Sequence, residues 1–129
     1  PLSEILNCVN ISKWDYDSSR AYKIFDAREE GCASNNGTKA NPCLSADILG
    51  DWREELICRT ADSKELRIYS TAIPSSLKLY TLMHNPQYRL SIAWQNVAYN
   101  QPPHVSYYLG QGMKLPPKPP IQIVKPVKQ

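Results

Sequence analysis

Arg89 and His104 are the side chains of this 129-residue chain whose chemistry is easiest to name. An arginine grips phosphate or carboxylate through two parallel bonds, and a histidine changes charge near neutral pH. On neighbouring strands of one sheet, the arginine can clamp a phosphate while the histidine protonates a leaving oxygen. Phosphodiester cleavage requires that pairing. Tyr80 and Tyr88 are candidates to stack on bases beside them. Competing accounts are a solvent-facing arginine with a loop histidine, and two tyrosines that simply fill the core. His84 is the one other histidine. Serine-nucleophile motifs, phosphate loops, HExxH and metal-carboxylate clusters are all missing, so no metal and no cofactor is expected.

The charges are segregated. Up to Glu65, eight bases face twelve acids, a net of −4; afterwards seven bases face none, a net of +7. A one-signed basic surface favours RNA, anionic headgroups or an acidic protein. A half-chain without carboxylates has no carboxylate to offer as a general base.

These residues need elements to position them. Asp17 and Ser18 are plausible caps for a helix running through Glu30, with Ala21, Ile24, Phe25 and Arg28 on one face and Gly31 as its stop. Residues 33–42 read as an exposed loop. Residues 45–56 are ambiguous: Ile48, Leu49, Trp52 and Leu56 fit a helix, while 54–59 also fit a strand. From Glu65 the period is two. Strands are expected at Leu66–Tyr69, Leu77–Met83, Tyr88–Trp94 and Val105–Leu109, with turns at Pro74-Ser75-Ser76 and Asn85-Pro86. The expected class is α+β, one N-terminal helix packed on a twisted antiparallel sheet. Residues 1–112 form the single domain. Residues 113–129, rich in proline and lysine, form a polyproline-II-like tail. No run approaches the ~20 apolar residues of a membrane span.

Cys8, Cys32, Cys43 and Cys58 lack zinc-type spacing, and an even count in a short chain fits two disulfides. Cys32–Cys43 and Cys8–Cys58 are the expected pairs. Asn10 and Asn36 open Asn-x-Ser/Thr sequons, candidate glycosylation sites. The chain starts at Pro1 without Met, as after removal of a targeting segment or a tag. A secreted, disulfide-bonded protein is the expectation.

The stretch 68–104 resembles the central sheet of the small guanyl-specific fungal ribonucleases. Ile73, Ser75-Ser76 and Tyr80 match its strand and turn. Arg89 falls on the family's phosphate-contacting arginine and His104 on its general-acid histidine. The stretch 14–32 is similar to the N-terminal helix of the secreted RNase-like effectors of powdery mildews. The family's carboxylate base, however, falls at Ser70. Glu65 is five residues away, roughly 16 Å along an extended strand and on its opposite face. The resemblance therefore implies an inactive ribonuclease-like fold without catalytic residues. It implies a monomeric effector secreted by a fungus and delivered into plant cells, a virulence or avirulence protein. It would bind RNA or a host defence protein there and be recognised by an immune receptor, without membrane contact. An active ribonuclease using His104, and a secreted protein-binding module or inhibitor, are the alternatives.

Overall fold

The computed structural model describes residues 4–97 and 101–124. Its first sheet is an antiparallel meander of β1 (Glu4–Asn7), β2 (Asn10–Asp15) and β3 (Arg20–Asp26). The expected N-terminal helix is thus a strand. The side chains read as its caps close a hairpin instead: Asp15 Oδ1 accepts from the Asp17 N–H at 3.0 Å, and Oδ2 from the Ser18 hydroxyl at 2.7 Å. Short polar side chains serve a turn as readily as a helix start, and Tyr22, Ile24 and Phe25 favour a strand. A bulge explains the apparent helical spacing. Ile11 faces Phe25 and Ser12 faces Lys23, which leaves Ile24 as an extra residue that shifts the inward pattern. Gly31 does end a helical turn, the 3-10 segment Ala27–Glu30, in the left-handed conformation at φ 78°.

The second sheet is built around β6 (Glu55–Thr60). One edge of β6 pairs with β4 (Cys32–Ala33) and β5 (Leu44–Ala46) at different heights, and the other pairs with β7 (Leu66–Tyr69). The ambiguous stretch before Arg59 thus resolves as a strand. Val9, Ala27, Cys32, Leu56 and Cys58 are buried in one core, with Leu6, Ile11, Phe25 and Tyr69 packed on it. The Phe25 and Tyr69 rings meet across the two sheets at 4.8 Å.

After β7 the chain departs furthest from expectation. Residues 77–83 and 105–109 are not strands, and Tyr88–Trp94 lies in the one α-helix among the described residues, α1 (Pro86–Trp94). Alternating Tyr88, Leu90, Ile92 and Trp94 suggested period two. The side chains actually buried are Tyr88, Ser91 and Gln95, at helical spacing. The decisive local signal is Asn85-Pro86, which is a helix start. Asn85 Oδ1 accepts from the Tyr88 N–H at 3.0 Å, and Pro86 takes the first turn, where no N–H is needed. The described residues are therefore mostly β with one short α-helix, and the α+β ribonuclease-like arrangement is excluded. In the tail, Met113, Pro116 and Pro119 are half-buried between exposed neighbours, the three-residue repeat of polyproline II.

The expected disulfides are not formed, and all four cysteines carry free thiols. Cys32 Sγ lies 3.2 Å from the Tyr69 hydroxyl inside the core, while Cys43 turns away to donate to Asn35 Oδ1 at 3.1 Å. Burial above all, then the neighbouring cysteines, pushes the Cys58 thiol up to about 12.

Candidate functional site

The Arg89–His104 clamp is not assembled. His104 sits over the face of α1 that carries Gln87, Ser91 and Trp94. Its Nε2 is 3.2 Å from the Gln87 amide nitrogen, its Nδ1 3.4 Å from Ser91 Oγ, and its ring 5.9 Å from that of Trp94. Arg89 is two residues past Gln87, so it points to the far side of the helix. There it donates to the Met83 carbonyl at 2.6 Å. Tyr80 is exposed, edge-on to His84. Tyr88 is buried. Its hydroxyl donates to Glu54 Oε1 at 2.7 Å and accepts from the Asp47 N–H at 2.8 Å, and burial, then Glu54, raises its pKa. Neighbouring strands would have set Arg89 beside His104; the helix turns them to different sides.

Ser70 does have a carboxylate beside it. Antiparallel pairing of β6 with β7 brings its hydroxyl to 3.1 Å from Glu55 Oε1. Glu55 is itself buried, and its Oε2 accepts the N–H groups of Ile48 and Leu49 at 3.0 and 3.1 Å. Counting along one strand could not find that neighbour. Of the two sequons, Asn10 lies in β2, half-buried, and Asn36 on an exposed loop.

The loop of residues 34–43 brings several polar side chains to the surface. Its base is tied at several points. The Asn35 N–H donates to the Asn41 carbonyl at 2.9 Å, and Arg59 donates to the Ser34 carbonyl at 2.8 Å. Gln95 and Asn96 supply further ties with their side-chain amides. Gln95 accepts from the Ser45 N–H at 2.9 Å and donates to the Ser45 carbonyl at 2.7 Å, as a neighbouring strand would. Asn96 Nδ2 donates to the carbonyls of Pro42 and Cys43 at 3.2 and 3.0 Å. Its Oδ1 is buried without a hydrogen-bond partner among the described residues.

Above this base Asn36, Gly37, Thr38 and Lys39 are exposed. Lys39 and Asn96 both adopt left-handed backbone, at φ 48° and 59°. Asparagine tolerates this conformation, but for lysine it costs of order 1–3 kcal/mol and persists only where the surroundings dictate it. A carboxamide, a hydroxyl and an ammonium group at an exposed tip suit a ligand that is polyhydroxylated and anionic. Sequence reasoning saw this stretch only as an exposed loop. Its crowding of Asn35, Asn36 and Asn41 around Gly37 and Lys39 was the available signal. The dependence on Gln95 and Asn96, over fifty residues on, was not visible.

Residues 1–119 match the family model described as "Rhamnogalacturonan lyase family 11, C-terminal domain". Over 118 residues the chain is 58% identical to the rhamnogalacturonan endolyase YesW of Bacillus subtilis, covering 92% of this chain and 19% of that protein. It is 58% identical over 113 residues to the rhamnogalacturonan exolyase YesX of the same organism, covering 88% of this chain and 18% of that one. The solved structure of Bacillus licheniformis rhamnogalacturonan lyase PL11 superposes with a TM-score of 0.84 at 56% identity, over 93% of this chain and 20% of that chain. The chain thus spans about a fifth of the length of the relatives it matches. These matches replace the fungal RNase-like effector, with its virulence role, RNA binding and immune recognition, as well as the active-ribonuclease and inhibitor alternatives. The expectation of a non-enzyme falls with it, since the relatives are named for lyase activity. Secretion, the coarser part of the expected location, agrees with relatives named for cleaving a polymer. Nothing in those matches concerns delivery into host cells.

Proposed function

The chain belongs to the rhamnogalacturonan lyase family 11 C-terminal domain family, and from that premise we propose that it is the C-terminal part of a lyase cleaving a uronate-bearing polysaccharide outside the cell. The 58% identity to two lyases carries this reading. A polymer too large to cross a membrane has to be met outside the cell. Because that identity is the same for an endolyase and an exolyase, we place the choice between internal and terminal cleavage in residues outside this chain.

A lyase breaks its bond by elimination. Beside a uronate, the proton next to the carboxyl group leaves to a base and its electron pair becomes a double bond. The glycosidic oxygen departs with the electrons of the C–O bond. Negative charge builds on the carboxylate as the proton leaves, so a fixed cation there lowers the barrier. Lys39 suits that role, with Asn36 and Thr38 as partners for sugar hydroxyls. The missing ribonuclease base has no bearing on such a reaction.

The test is elimination of rhamnogalacturonan by the native-length polypeptide, followed by the ultraviolet absorbance of the unsaturated sugar end. Lys39→Ala should lower the rate about a hundredfold while the fold is retained. Undiminished turnover in that variant would remove Lys39 from the site, and no unsaturated product from the unaltered protein would overturn the lyase reading.

A further inference from the structure

We propose a second carbohydrate site, a cleft between Asp51–Arg53 and residues 75–79, that takes a uronate-bearing sugar with its ring on Trp52 and its carboxylate on Lys78. The choice of sugar rests on the lyase reading; the site itself rests on its own geometry and shares no residue with the 34–43 loop. The cleft measures about 310 Å³, and Trp52, Ser75, Leu77, Lys78 and Leu79 are among its lining residues. That volume lies at the small end of the roughly 300–1,000 Å³ usual for small-molecule sites.

Three features make it a site rather than a dent. Trp52 has φ 71°, in the left-handed region where a bulky residue is a genuine outlier. Its indole N–H donates to the Leu77 carbonyl at 3.2 Å, which fixes the ring against the opposite wall. Arg53 stitches the structure together without adding charge. Its guanidinium is paired with the Asp51 carboxylate and donates to the Ile73 carbonyl at 2.7 Å. Lys78 is different: it is exposed and makes no ion pair or hydrogen bond among the described residues. The cleft therefore offers an immobile aromatic wall with leucine beside it, a neutralised Asp51–Arg53 pair and one uncommitted cation. The C–H face of a sugar ring packs on such a wall, and an attached carboxylate reaches the ammonium group.

The experiment is calorimetric titration of the native-length polypeptide with trigalacturonate and, separately, with its fully methyl-esterified form. The unaltered protein should bind the acid more tightly than the ester. Lys78→Gln should weaken the acid about tenfold and leave the ester alone. Trp52→Ala should weaken both, and Trp52→Phe, which keeps a ring, guards against simple unfolding. Equal affinity for acid and ester, or a Lys78→Gln variant that binds the acid as the unaltered protein does, overturns the proposal. The two readings fail separately. Cleavage that survives Lys39→Ala, while Lys78→Gln still weakens trigalacturonate, rejects the Lys39 role and keeps the cleft.

Discussion

Residues 4–69 contain the seven strands found among the described residues, and their ladders meet over an apolar core. Residues 70–97 and 101–124 contain one nine-residue helix and a short 3-10 turn, and most of the rest is extended chain without a ladder. Side chains hold this second region to the first. Asp47 Oδ2 accepts from the Thr81 hydroxyl at 2.6 Å and the Leu82 N–H at 2.9 Å. Glu54 receives Tyr88, Glu55 receives Ser70, and Gln95 docks on Ser45. Three acids of the first half, Asp47, Glu54 and Glu55, thus act as fasteners for the second.

Breaking each mode separately should give graded losses, read by chemical denaturation. Leu56→Ala opens the shared core and should cost about 3 kcal/mol, the cavity penalty of a buried leucine. Gln95→Ala leaves the Ser45 N–H and carbonyl buried and unpaired, so about 2 kcal/mol is expected, with the loss seen first as exchange of the 43–45 amides. Asn85→Ala removes a helix cap and two exposed hydrogen bonds with Ser106, and should cost about 1 kcal/mol.

Acid should separate the regions by sign. Hydrogen bonds from Arg28 hold the Asp26 carboxyl well below its ordinary range, so the unfolded chain takes that proton first. The stability it gives is present above the usual carboxylate pKa of about 3.9 and is lost as pH falls below it. Glu54 runs the other way. Burial of its carboxyl, opposed by the Tyr88 hydrogen bond and aided by Asp47 and Glu55, raises its pKa. The folded chain then takes the proton first, and stability rises as pH falls through the raised pKa toward the unfolded value near 4.3. Exchange protection across an acid titration should therefore fall in β3 and rise around Tyr88. Asp26→Asn should flatten the first trend, and Glu54→Gln the second. Parallel trends would refute the division.

What could be read from the sequence follows the same line. β7 and the end of the ambiguous 45–56 stretch were legible because Leu66 to Tyr69 and Leu56 to Thr60 alternate against a ladder partner. The N-terminal strand was missed because the bulge at Ile24 breaks its period. Helix α1 was missed because alternating apolar residues outweighed the Asn85-Pro86 start. The 34–43 loop was visible as a loop, but its shape rests on Lys39 in a left-handed conformation and on Gln95 and Asn96 from a remote helix end. No local pattern carries such information.

The half-buried repeat of Met113, Pro116 and Pro119 makes the last segment a counter of chain length. On a three-residue helix, one residue inserted ahead of Lys118 turns every later side chain by about 120°. Lys118 would then meet the body where Pro119 does now. Losing or gaining three residues restores the register. Natural variation in tail length should therefore come in steps of three, while the identity of the outward residues drifts freely.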